Sequence, residues 1–281
     1  MRLGMVANLY HAEMKQKNQQ NLRYLLDKAK FLGMSVVCGG LRGCSIEEAR
    51  RLLDETGIEM ELGWGYNYFA EDLEEHKKAQ GRFEEFLNNT CKPLNTRIVG
   101  TASGSHRWLA EPPLSEMLDR MAESIRPLAV MAQDYGVSIA IENHADYRGH
   151  EIAQVIRKID QPNVGARLDT GNPFWTFEEP VDAAKALAPM TITTHIKDLH
   201  VGRFAQWKGV PLGQGHVALD VIIGDLLANH APDPGNLPLI IEVEAIEDSD
   251  PTAAADESVR YLKDRFGHLL DNTFREYGKV V

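Results

Sequence analysis

Basic residues are in short supply: 30 lysines and arginines face 41 aspartates and glutamates, a formal charge of −11. A surface that grips the nucleic-acid backbone must be basic, so nucleic acid is not an expected partner. Cysteine is scarce too. Cys38, Cys44 and Cys91 are odd in number and lack metal-type spacing, so they read as free structural thiols in a reducing compartment. No uncharged apolar run approaches the roughly 20 residues of a membrane span. The N-terminal stretch runs through a short apolar strand into polar Lys15 to Asn21, without the apolar core of a signal peptide. These absences together predict a soluble cytoplasmic protein. Also missing is a glycine fingerprint after the first strand, which ends Ala7-Asn8-Leu9-Tyr10, and this argues against an open dinucleotide-binding sheet.

What the chain does have is alternation. Short apolar runs at residues 3–7, 35–38, 58–62, 97–101, 137–141, 164–168, 191–196 and 239–243 are separated by amphipathic stretches. That is the pattern of repeated βα units around a parallel sheet. Eight units predict a single (β/α)8 TIM-barrel domain over residues 1–281, slightly longer than the roughly 250 residues typical of the fold. Residues 46–56 follow Ser45 as N-cap, with Glu48 three positions on, and Gly57 suits a left-handed C-cap. Further helices are expected at 114–135, 151–159, 181–187 and 253–262. Extended loops are expected from Asp198 to about Val217 and around Asp248 to Asp250.

Strands of a helix-covered parallel sheet should be apolar on both faces. The later strands break that rule on one face only. Side chains alternate, so Ser138, Ala140, Glu142 and His144 share a face opposite Val137, Ile139 and Ile141. Thr191, Thr193, His195 and Lys197 share another, as do Ile240, Glu242 and Glu244, and strand six adds Arg167 and Asp169. The apolar faces meet the helices, so the polar ones look into the barrel. The ionisable groups fall at the C-terminal ends, the rim that carries active sites in this architecture. Glu142 and Asp169 lie 27 residues apart, and Asp169 and His195 lie 26 apart, close to one barrel unit. Carboxylates crowded there resist ionisation unless a cation neutralises them. One divalent metal is therefore expected at Glu142, Asp169, His195 and Glu242. The oxygen-rich donor set suits Mn²⁺ or Mg²⁺, while its histidine also accommodates Co²⁺ or Zn²⁺.

With Ile141-Glu142-Asn143-His144, Leu168-Asp169-Thr170-Gly171-Asn172, His195-Ile196-Lys197-Asp198, Pro211-Leu212-Gly213-Gln214-Gly215 and Ile241-Glu242-Val243-Glu244, the sequence resembles the xylose isomerase-like barrel superfamily. The likeness is to its sugar phosphate isomerase/epimerase branch, which includes ketose 3-epimerases and inosose dehydratases. The motifs cover residues 135 to 245, and the strand count extends the likeness to the whole chain. The resemblance implies that Glu142, Asp169, His195 and Glu242 are metal ligands and that Glu142 and Glu242 are also the acid/base pair. Where the family often has a substrate-binding histidine, three residues after the aspartate, this chain has Asn172.

A metal chelated by the carbonyl and neighbouring hydroxyl of a ketose lowers the pKa of the intervening C–H, and a glutamate removes that proton to give a metal-bound enediolate. Proton return to the other face gives epimerisation, and return to the next carbon gives isomerisation. Loss of a β-hydroxyl makes the enzyme a lyase instead, acting on a keto-sugar or keto-inositol. The expected substrate is a small sugar or polyol-derived ketone, with no phosphate cradle legible. Trp64, Trp108, Trp175 and Trp207 follow strand ends, where indole rings either pack on sugar C–H faces or pad loops and a homo-oligomer contact. His144, Lys197, Asn172, Arg167 and Arg203 are the other candidate substrate contacts, with pairing to a neighbouring carboxylate the alternative for Arg167 and His106 read as a surface residue. An abasic-site endonuclease needs further histidines and an Asp-x-His element that the stretch from His195 to Glu242 lacks. A non-catalytic barrel subunit is the remaining alternative, and the complete ligand set speaks against it.

Overall fold

A computed structural model of the protein describes residues 1–102, 112–203, 206–229, 234–244 and 250–270. Among these, eight strands form one parallel sheet: β1 (Arg2–Val6), β2 (Val36–Cys38), β3 (Glu59–Gly63), β4 (Ile98–Thr101), β5 (Ser138–Glu142), β6 (Val164–Asp169), β7 (Thr191–His195) and β10 (Pro238–Ile241). The order is β10-β1-β2-β3-β4-β5-β6-β7. A parallel bridge between Ile196 and Ile241 brings the two ends together, so the sheet closes into the expected TIM barrel. Each of the eight predicted runs coincides with a strand to within about two residues.

The helices are α1 (His11–Gln16), α2 (Leu22–Phe31), α3 (Ile46–Thr56), α4 (Leu73–Phe86), α5 (Lys92–Leu94), α6 (Leu114–Gln133), α7 (Gly149–Ile159), α8 (Pro180–Leu187), α9 (Leu219–Asn229) and α10 (Pro251–Phe266). Their starts have local causes. The side chains of Asn21, Ser45, Asp72 and Asp250 each accept a backbone N–H of the first turn of α2, α3, α4 and α10. Gly57 ends α3 at φ 73°, as its position predicted. Between helices and sheet lies the main apolar core, with Met5, Val37, Ile141, Leu168 and Ile241 fully buried on the sheet's outward side. None of the described helices is long and apolar enough to cross a membrane.

One element differs from expectation. The stretch read as an extended loop after Asp198 contains an antiparallel hairpin, β8 (Asp198–Gly202) with β9 (Gln206–Val210). The Asp198 carboxylate accepts N–H groups from Leu199, Gly213, Gly215 and Val217 at 2.8–3.1 Å. The Pro211–Gly215 motif is thus the loop that wraps this buried carboxylate.

Register fixes what faces inward. Cys38 pairs with Glu61, Gly100 with Ala140, Glu142 with Arg167 and Asp169 with His195. Paired residues project to the same side, so these side chains share the barrel interior. The alternation inferred for the later strands is the one observed.

Candidate functional site

Glu142 ends β5, Asp169 ends β6 and His195 ends β7, and each offers a donor atom within 4.8 Å of the other two. Glu242, just past β10, lies beside this group, its Oε2 2.8 Å from His195 Nδ1. Glu142 Oε2 is 3.7 Å from the same nitrogen. Two local latches hold the strand ends in step. Asn143 donates Nδ2 to the Asp169 carbonyl and accepts the Asp169 N–H, and Thr170 does the same with Lys197 across to β7. One carboxylate oxygen of Asp169, Oδ1, is occupied by the N–H groups of Gly171 and Asn172 at 2.8 Å.

The other oxygen is not. Asp169 Oδ2, both ring nitrogens of His195 and Glu242 Oε2 are buried without a hydrogen-bond partner. Neither Lys197 Nζ, 3.2 Å from Asp169 Oδ2, nor the His195–Glu242 approach has hydrogen-bonding geometry. Unsatisfied buried donor atoms that converge from three strand ends fit a bound cation, because burial without a partner is otherwise costly. A larger hollow of about 440 Å³ lies on the outside of the barrel between α2 and α10. By contrast, a cavity of about 330 Å³ opens directly onto His195 and Glu242, past Val6, Cys38, Gly39 and Arg42.

The charges are strongly coupled. Burial pushes the Asp169 carboxyl up to about 6, Lys197 only partly offsetting it while Glu242 and Glu142 add to it. Burial works to lower the His195 pKa, but Glu142 and Glu242 outweigh it and hold the imidazole well above its ordinary value. Burial works against ionised Glu242 as well, yet His195 and Lys197 bring it down to about 2. Lys197 is itself buried, and its ammonium donates to Asn172 Oδ1 (3.1 Å) and Glu244 Oε1 (2.7 Å). Asn172 passes the contact on, donating Nδ2 to Glu142 Oε1 at 3.2 Å.

The expected substrate contacts separate into groups. Lys197 and Asn172 touch the cluster directly. His144 is half exposed just beyond β5, with Asp146 the first cause of its raised pKa. Trp175 is 37% exposed and packs on Trp207 of the hairpin, with Phe177 alongside, and Arg203 is exposed at the hairpin turn. Two residues take the packing or pairing role that was the alternative reading for each. Trp64 stacks on Phe83 and Phe86 of α4, so its ring serves helix packing on the outside of the sheet. Arg167 is buried and donates Nη2 to Glu61 Oε2 at 3.0 Å rather than reaching the open rim. Trp108 and His106 lie outside the described residues. Sequence reasoning missed Glu61, although an acidic residue inside the run 58–62 was the available signal.

The profile of the family described as xylose isomerase-like TIM barrel matches residues 26–265. The uncharacterized protein YihM of Escherichia coli is 29% identical over 116 residues, 41% of this chain, and the matched stretch spans only 34% of YihM's own length. Among solved structures, the IolI protein with a bound zinc atom is 16% identical, covers 99% of each chain and has a TM-score of 0.74. D-psicose 3-epimerase, solved in the presence of D-fructose, is 19% identical over 95% of this chain and 100% of its own, with a TM-score of 0.72. At these identities the structural likeness concerns the fold.

Proposed function

Because the chain belongs to the xylose isomerase-like TIM barrel family, we propose that it is a divalent-metal-dependent isomerase or epimerase of a sugar, ketose or polyol-derived ketone. The observation that carries this reading is the set of buried, unpartnered donor atoms from Asp169, His195 and Glu242 beside Glu142. These four residues would hold the cation, with Mn²⁺ or Mg²⁺ matching three carboxylates and one imidazole best. Bound there, a divalent ion supplies Lewis acidity that makes a C–H beside a carbonyl more acidic.

The protein's own groups do the rest. Glu142 and Glu242 flank His195 and serve as the acid/base pair: one takes the proton from carbon and the other, or the same one, returns it. Asn172 and Lys197 orient Glu142 and Asp169 and offer donors to substrate hydroxyls. Trp175, with Trp207 beside it, provides a partly exposed aromatic surface for a sugar C–H face, and the exposed His144 and Arg203 are further candidate substrate contacts. The alternative reading of the same site is a lyase, with loss of a β-hydroxyl from a keto-sugar or keto-inositol. Names of the structural relatives that mention 3-epimerases and D-fructose support a sugar substrate.

Incubation of the metal-reconstituted protein with ketoses, keto-inositols and keto-glycosides in D₂O tests this. Metal-dependent deuterium at a carbon beside the carbonyl is expected, and the labelled carbon or loss of water separates epimerase, isomerase and dehydratase. Glu142→Gln and Glu242→Gln are each expected to lower turnover by roughly 10²- to 10⁴-fold. Full turnover in either removes that residue as acid or base.

A further inference from the structure

Beneath the rim, the barrel interior holds a second charged group that no motif announced. Arg167 runs inward from β6, and a Cβ on Gly100 of β4 would collide with its guanidinium, so the absent side chain is what gives the group its room. Glu61 of β3 receives it, and Glu61 Oε1 accepts a further bond from Thr193 Oγ1 at 2.8 Å. All three side chains are buried. Arg167 Nη1 also lies 3.8 Å from Glu142 Oε2, and Arg167 Nε has no partner. The guanidinium therefore stands between two carboxylates, bonded to one and close to the other.

We propose that Glu61 is a positioning residue that keeps Arg167 off Glu142, leaving the Glu142 carboxylate free for the candidate metal site. A buried guanidinium needs an anionic partner. Deprived of Glu61, Arg167 has Glu142 as its nearest carboxylate, and a small movement closes 3.8 Å to an ion pair. Thr193 fixes Glu61 in the role by holding the oxygen that Arg167 does not use. The inference rests on the reading of Glu142 as a ligand, and it adds to the machinery around it a residue from β3, two strands away from β5.

The test is Mn²⁺ binding by the full-length protein, read as free Mn²⁺ by electron paramagnetic resonance, which needs no substrate. Glu61→Gln keeps the shape of the side chain and removes its charge, and it is expected to weaken Mn²⁺ binding by roughly 10- to 100-fold, the range for groups that support a ligand from behind. Adding Arg167→Met removes the freed cation and is expected to bring affinity back to within roughly threefold of the unmodified protein. A purely structural pair gives no such recovery, so a double variant as weak as Glu61→Gln overturns the proposal. Unchanged affinity in Glu61→Gln overturns it as well. If that variant fails to fold, Thr193→Val keeps both charges and frees only Glu61 Oε1; a weakening in the same direction is expected, and no change there counts against the proposal. Unmodified protein that binds no Mn²⁺ defeats the metal-site reading together with this one, whereas loss of the inference alone leaves the unmodified protein binding normally.

Discussion

At the scale of single residues, the proposed ligands differ in the protons they must surrender. His195 is held well above its ordinary pKa by Glu142 and Glu242, against the effect of burial, and this favours the protonated imidazole in the metal-free protein. A metal needs the neutral imidazole. Binding should therefore release protons, with Asp169 adding to the release as the pH falls through about 6. Titration calorimetry in buffers of different ionisation heat reads this directly, and binding without proton release would contradict it. The stability of the metal-free fold has the matching sign: both pKa values are raised, so these protons stabilise it at low pH. The Asp169 contribution is complete below its ordinary pKa near 4 and fades as the pH climbs through about 6. Glu142, Asp169, His195 and Glu242 were legible because each charge interrupts an apolar strand on its inward side. Arg167 was seen, but not its depth. Whether a long side chain reaches the rim or lies beneath it depends on a partner 106 positions away, Glu61, and alternation carries no such information.

Among the elements, the stretch after β7 has most to lose from one substitution. Four backbone N–H groups converge on Asp198, and they tie the start of β8 to the loop at 213–217. Asp198→Ala leaves these donors to find water, and a destabilisation of about 2–4 kcal/mol is expected in a urea titration. A change below about 0.5 kcal/mol would show that the loop holds itself. Asp198→Asn, which keeps one acceptor oxygen, should cost less. The sequence marked Asp198 and the two glycines as neighbours in one motif set without revealing that one binds the others. The hairpin was also illegible, since its strands carry no turn dipeptide of the kind that sets a two-residue hairpin. Helix α3 lay at the other extreme: Ser45, Glu48 and Gly57 marked both its ends, because capping is a local interaction between residues a few positions apart.

The whole molecule should register the cation as a change in stability. A ligand that binds only the folded state at about 100 times its dissociation constant contributes about 2.7 kcal/mol. For a chain of this size that raises the Tm by roughly 5–10 °C, so stripping metal with EDTA is expected to lower the melting midpoint by that amount and Mn²⁺ to restore it. An unchanged midpoint would mean that no resident divalent ion supports the fold. The closure of the barrel has a consequence in time. Strand β1 precedes the other strands in the chain, yet one of its two neighbours is β10. Strand β10 meets β7 through one backbone bridge, in which Ile196 donates to Ile240 and Glu242 donates to Ile196, and through Thr194 Oγ1, which donates to the Pro238 carbonyl and accepts the Ile240 N–H. During synthesis the sheet keeps two open edges until the last strand arrives, and such long-range pairing is slow to form. The same narrow seam should be an early place to breathe in the finished protein. Hydrogen exchange at the amides of Ile196 and Glu242 should accordingly outpace that at the amides of the β5–β6 ladder. On the proposed reading it should slow when Mn²⁺ is added, since His195 and Glu242 lie on opposite sides of the seam and a shared ion fastens them together.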